Sequence, residues 1–175
     1  DKDLESLTNS AYLLADTFEV DVNDVIKSAS VYMKTFGVDS DKAMDLMLVA
    51  FQKGGDYSGE LLDTIREYSP QFKSMGFDAD EMMNILIRGA EAGAFNLDKV
   101  GDAIKEMNVR VVDGSKTTND AFTTLGLDAE KMGQSFAMGG EDAQKAFAVT
   151  MAALSKVKDE QDKHNLDVAI MGTQY

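Results

Sequence analysis

Four copies of one short pattern punctuate the chain: Phe18-Glu19-Val20-Asp21, Phe36-Gly37-Val38-Asp39, Met75-Gly76-Phe77-Asp78 and Leu125-Gly126-Leu127-Asp128. Each stands where one segment of helical apolar periodicity stops and the next begins. In three copies a Gly is placed to take the left-handed conformation that closes a helix. Two residues later the Asp is placed to cap the following helix, its carboxylate accepting from first-turn amides that have no partner within the helix. The third residue after the cap is acidic in two copies, Asp24 and Glu81, and only Glu81 completes a capping box. The apolar pairs Val20/Val25, Val38/Ala43, Phe77/Met82 and Leu127/Met132 have hydrophobic-staple spacing. Copies lie 18, 39 and 50 residues apart, so this is a reused corner and not a solenoid of fixed period. Gly37, Asp39, Gly76, Asp78, Gly126 and Asp128 are therefore the candidate structural residues. The corners predict an all-α fold, a compact array of about nine or ten short to medium helices with no substantial sheet.

The segments between corners carry helical stripes. Leu4, Leu7, Ala11, Leu14 and Phe18 fall at 3–4 spacing, as do Val22, Val25, Ala29, Tyr32 or Met33, and Phe36. Met82, Ile85 or Leu86, Gly89 and Gly93 form a stripe whose small residues permit close helix approach. Asn96 is placed to cap Leu97, Val100, Ile104 and Met107, and Ala143, Ala146 or Phe147, Thr150, Leu154 and Val157 make the last strong stripe. Ser69-Pro70 suits an N-cap and first helical position opening a short new helix. The run Val109-Arg110-Val111-Val112-Asp113-Gly114 is β-flavoured and short, and predicts an extended connection. One helical domain over 1–175 is expected, with 1–56 and 57–175 as sub-units. The opening Asp1-Lys2-Asp3, without a start Met or targeting signal, reads as a piece cut from a longer protein.

Composition narrows the chemistry. The chain of 175 residues has no Cys and one His, His164, which removes disulfides, thiolate catalysis and Cys- or His-pair metal sites. A formal charge of −14 repels phosphate backbones, which argues against a nucleic-acid partner. The longest apolar run, Leu46 to Phe51, is far short of the ~20 residues that span a bilayer. Asp39-Ser40-Asp41 and Asp78-Ala79-Asp80 resemble the start of a calcium loop, but the Gly and Glu needed further along are absent, and capping is the better reading. Gly114-Ser115-Lys116-Thr117 lacks the spacing of a phosphate-binding loop and reads as a Gly turn leading to a Thr117 N-cap. Glu60, Asp63 and Glu67 share a helix face with Arg66 among them, a solvated face with no apolar wall to shift a carboxyl. No catalytic, cofactor or metal set emerges. Met44, Met47, Leu48 and Phe51 are apolar nearly all round their helix. They belong either to the core or to a candidate partner-contact face.

Longer stretches carry a resemblance. Gln52-Lys53-Gly54-Gly55-Asp56-Tyr57-Ser58-Gly59-Glu60-Leu61-Leu62-Asp63-Thr64-Ile65-Arg66-Glu67-Tyr68-Ser69 resembles a region of phage tail tape measure proteins of Gram-positive hosts. Gly93-Ala94-Phe95-Asn96-Leu97-Asp98-Lys99-Val100-Gly101-Asp102-Ala103-Ile104-Lys105-Glu106 does so as well. Val112-Asp113-Gly114-Ser115, Leu125 to Met132, Lys145-Ala146-Phe147 and Gly172-Thr173-Gln174 follow in the family's order. The resemblance spans roughly residues 12–175. It implies a phage or prophage virion protein, made in the bacterial cytoplasm, that sets tail length and guides tail-tube polymerisation. Its implied partners are tail-tube and tail-tip or baseplate proteins, tail assembly chaperones and other copies of the parent protein. It implies no active site and no cofactor in this region. Neither a long heptad segment nor an apolar membrane stretch is present, so the expectation is one helical module of such a protein. A partner-binding helical adaptor of unrelated parentage and an accessory module of a peptidoglycan hydrolase are the alternatives.

Overall fold

A computed structural model describes residues 2–94 and 96–173, with side chains described from Glu5 onward. Expectations that fell on Asp1, on the side chain of Leu4 and on Phe95, Gln174 and Tyr175 lie outside the described residues. Within them the chain forms ten helices and no strand: α1 (Lys2–Phe18), α2 (Val22–Phe36), α3 (Ser40–Gln52), α4 (Leu61–Ser74), α5 (Ala79–Glu91), α6 (Leu97–Asp113), α7 (Lys116–Thr124), α8 (Ala129–Met138), α9 (Gly140–Leu154) and α10 (Glu160–Met171). The all-α expectation holds.

Packing divides the helices into two units, Asp1–Lys73 with Asp78–Gly101, and Ser74–Phe77 with Asp102–Tyr175. The chain passes from one unit to the other after Lys73, after Phe77 and, within α6, after Gly101. In the first unit α1, α2 and α3 pack on one another and α5 lies against α3. Its core takes Leu7, Ala11 and Leu14 from the first stripe, Val25, Ala29 and Tyr32 from the second, and Met82 and Leu86 from the fifth helix. Burying one large apolar side chain contributes about 1.5–3 kcal/mol, so the stripes, more than helix propensity, hold these helices in place. Gly89 does allow close approach, because a Cβ there would fall 2.6 Å from Val100 Cγ2. Gly93 instead closes a turn at φ 85°. Asn96 caps α6 by accepting from the Lys99 amide at 3.0 Å.

In the second unit α8 packs on α9, and α7 touches both α8 and α10. Phe122, Phe136, Ala143, Ala146, Leu154 and Ile170 are buried there. Thr118 ties α7 to α10 by donating to the Ala169 carbonyl at 3.0 Å.

Three local expectations are corrected. Pro70 does not open a helix; it lies inside α4. The stripe Leu61, Ile65, Tyr68 and Phe72 buries one continuous face across it. That burial outweighs the lost backbone bond, which costs ~3 kcal/mol in an unsupported helix. Ser69 is not a cap, and its hydroxyl donates back to the Ile65 carbonyl at 2.5 Å. Val109 to Asp113 is not extended but is the last turn of α6. Met107 and Val111 continue the buried face of that helix, and the register overrides a β preference worth only tenths of a kcal/mol per residue. Finally, Ser115 rather than Thr117 caps α7, accepting from the Thr118 amide at 3.3 Å.

Candidate functional site

The corners are built as follows. Gly37, Gly76 and Gly126 have φ of 70°, 86° and 74°, all left-handed. Asp39 accepts from the Lys42 amide at 2.8 Å, and Asp128 from the Lys131 amide at 3.1 Å. Asp78 accepts from the Glu81 amide at 2.8 Å while its own amide donates to Glu81 Oε2 at 2.8 Å, closing the capping box. In the first copy Asp21 accepts from the amides of Asn23 and Asp24. There Glu19 takes the left-handed conformation itself, at φ 56°, where no Gly is available. The three Gly corners differ in their surroundings. A Cβ on Gly37 or Gly126 would meet nothing within 4 Å, whereas on Gly76 it would fall 2.0 Å from the Gly140 carbonyl oxygen. A Cβ on Gly139 would fall 2.8 Å from the Ser74 carbonyl oxygen. The 74–77 turn and the α8–α9 junction therefore meet backbone to backbone, within the second unit.

The acidic corners are occupied by protein partners. Lys42 Nζ donates to Asp80 at 2.6 Å, and this bond to Asp80 raises the Lys42 pKa. Ser6 donates to Asp41 at 2.9 Å. Among the described residues no three His, Cys, Asp or Glu side chains come together as a metal would need. His164 is exposed on α10.

The candidate partner face on α3 lies largely inside the first unit. Met44, Met47 and Phe51 are buried in the chain's own packing, and Leu48 is half-buried. Phe51 faces Phe18 across 4.9 Å between ring centroids. Met44, Met47 and Phe51 thus serve the core of the first unit, and Leu48 keeps part of its surface outside it.

The carboxylate face of α4 is more structured than its spacing shows. Arg66 pairs with Asp63 and reaches across to Asp24 at 3.2 Å on α2, with Ser28 also within reach. Tyr68 donates to Asp98 at 3.0 Å. Asp63, Arg66 and Asp98, with Glu60, Thr64 and Glu67, line a polar cavity of about 480 Å³ in the first unit. Glu60 precedes the helix and is not on its face; its Oε2 is buried and unpaired, as is the hydroxyl of Thr64. Beside it, burial pushes the Asp56 carboxyl pKa up, the Leu61 amide pulls it back, and the charge of Glu60 raises it further. Sequence spacing could not find this set, because Asp98 arrives from a distant helix.

Two further depressions lie in the second unit. One, of about 500 Å³, is lined by Leu125, Leu127, Val149, Ala153 and Val157. The other, of about 390 Å³, lies among Val111, Val112, Ala129, Gly133 and Ala137. Among the described residues no helix is long and apolar enough to cross a membrane.

No curated protein and no solved structure matches the chain. One family does, through a model described as phage-related minor tail protein that spans residues 1–172, and the chain belongs to that family.

Proposed function

We propose that this chain is a module of a tail tape measure protein, a parent that serves tail assembly and tail-length determination through protein–protein contacts. The observation that carries the reading is the minor tail family match along residues 1–172. That family is structural, which gives the chain a structural role in the tail. The tape measure assignment rests on the resemblance of Gln52–Ser69 and Gly93–Glu106. In this reading the module works in the virion tail, against tail-tube, tail-tip or baseplate proteins, assembly chaperones or other copies of its parent. The corners interrupt any continuous rod, and each stripe needs its neighbours for burial, so the module acts as a docking or initiation unit more than as ruler length.

In-frame deletion from the parent phage, read by electron microscopy, tests this. Tail yield should fall, and the tails that form should keep nearly their full length. Normal yield would remove the assembly role. Viable tails shortened by about 260 Å, the length of 175 residues as one helix at ~1.5 Å each, would show an extended ruler segment instead.

A further inference from the structure

We propose that the polar cavity on α4 receives the guanidinium of an arginine carried by a protein partner. Four carboxylates line it, Glu60, Asp63, Glu67 and Asp98, against the single cation Arg66. That cation is already engaged, since Arg66 is paired with both Asp63 and Asp24. The cavity therefore keeps a net negative lining after its internal pairs are made.

Two unpaired oxygens point to what is missing. Thr64 is 1% exposed and its Oγ1 has no partner, and Glu60 Oε2 is buried and equally unpaired. A buried carboxylate oxygen can only accept, so it calls for a donor, and leaving it unmade is costly. A metal ion does not fit, because no three ligating side chains converge among the described residues. A guanidinium fits better than an ammonium, since its planar fork presents five donors to acceptors spread over several residues. Tyr68 donates to Asp98, so one wall is fixed in advance. The space of about 480 Å³ accommodates a side chain with part of its backbone. A protein source follows from the family's structural place in the tail, independently of the tape measure reading.

The test is a titration of N-acetyl-arginine amide into the isotopically labelled full chain, followed by amide NMR shifts. Shifts should saturate and concentrate on residues 60–67 and 98, with the lysine counterpart binding more weakly. Glu60→Gln and the exposed Glu67→Gln should each weaken binding about tenfold. Thr64→Val should weaken it as well while leaving the melting temperature equal or higher, which a purely structural hydroxyl would not do. Shifts spread evenly over the acidic surface, unchanged affinity in both Gln variants, or the same local shifts from magnesium chloride alone would each overturn the proposal.

Discussion

The corners at Gly76 and Gly126 have the same local chemistry and different surroundings. Both close a helix with a left-handed Gly, and both hand over to an Asp cap two residues later. Around Gly126 there is open space, while Gly76 lies with its α-carbon against the Gly140 backbone. The hydrogens of Gly76 thus serve two purposes, a backbone conformation and a close approach, and only the first is encoded by the neighbouring residues. A turn signal says where a chain bends; it does not say whether another segment will lean on the bend.

The largest expected effect separates the two directly. Gly76→Ala should cost about 3 kcal/mol or more, combining the left-handed penalty with a methyl group driven into a carbonyl. Gly126→Ala, with only the first of these, should cost about 1 kcal/mol. Equal urea midpoints for the two variants would show that the 74–77 turn does not rest on Gly140.

Next come the caps. Asp78→Ala removes the side-chain half of a capping box and leaves the residue-78 amide bonded to Glu81. Asp128→Ala removes a cap that also lies 3.8 Å from Lys131 Nζ, so each variant should cost about 1 kcal/mol. Unchanged midpoints in denaturant melts of both variants would show that these caps contribute nothing. Glu19→Gly asks the same question from the other side. It relieves a left-handed non-Gly residue, and should stabilise by a few tenths of a kcal/mol up to about 1, against the entropy that Gly adds to the unfolded chain. A loss of stability there would show that Glu19 is held by more than its backbone.

The smallest effect is a control outside the corners. Asp167 on α10 is buried, which pushes its carboxyl pKa up, while the charges of Lys163 and His164 pull it back. A carboxyl whose pKa is raised on folding binds its proton more tightly in the folded chain. Its contribution is therefore complete below the unfolded pKa and is lost as pH rises through the folded one. Asp167→Asn should raise the urea midpoint slightly at pH 7 and make no difference near pH 3. A difference at both values would assign the effect to packing rather than charge.

The corners were legible because every element of them is local. Left-handed Gly, Asp cap and Glu81 lie within six residues, and no tertiary information is needed to place them. Pro70 and the Val109–Val112 run were misread for the opposite reason. Local preference argued for a break at each, and the buried faces of α4 and α6 carried the helix through. The α3 stripe was legible as apolar but not as core or surface, a choice made by α1, through Phe18, and by α5. The polar cavity was only half visible. Glu60, Asp63 and Glu67 announce a run of carboxylates, but Asp98 joins it through helix packing, and an orphaned hydroxyl has no sequence signature at all.

Neither unit is a single stretch of chain, and this orders events during synthesis. Domains fold as units as the chain emerges, the amino-terminal part first. Here the first unit has its last residues once Gly101 has left the ribosome. By then Ser74–Phe77 has been made, bracketed by two helices of that unit, with nothing of its own yet to rest against. Its partners, Gly139 and Gly140, come later, at the start of α9. The turn must wait with its glycine exposed, and the ribosome's pace sets how long.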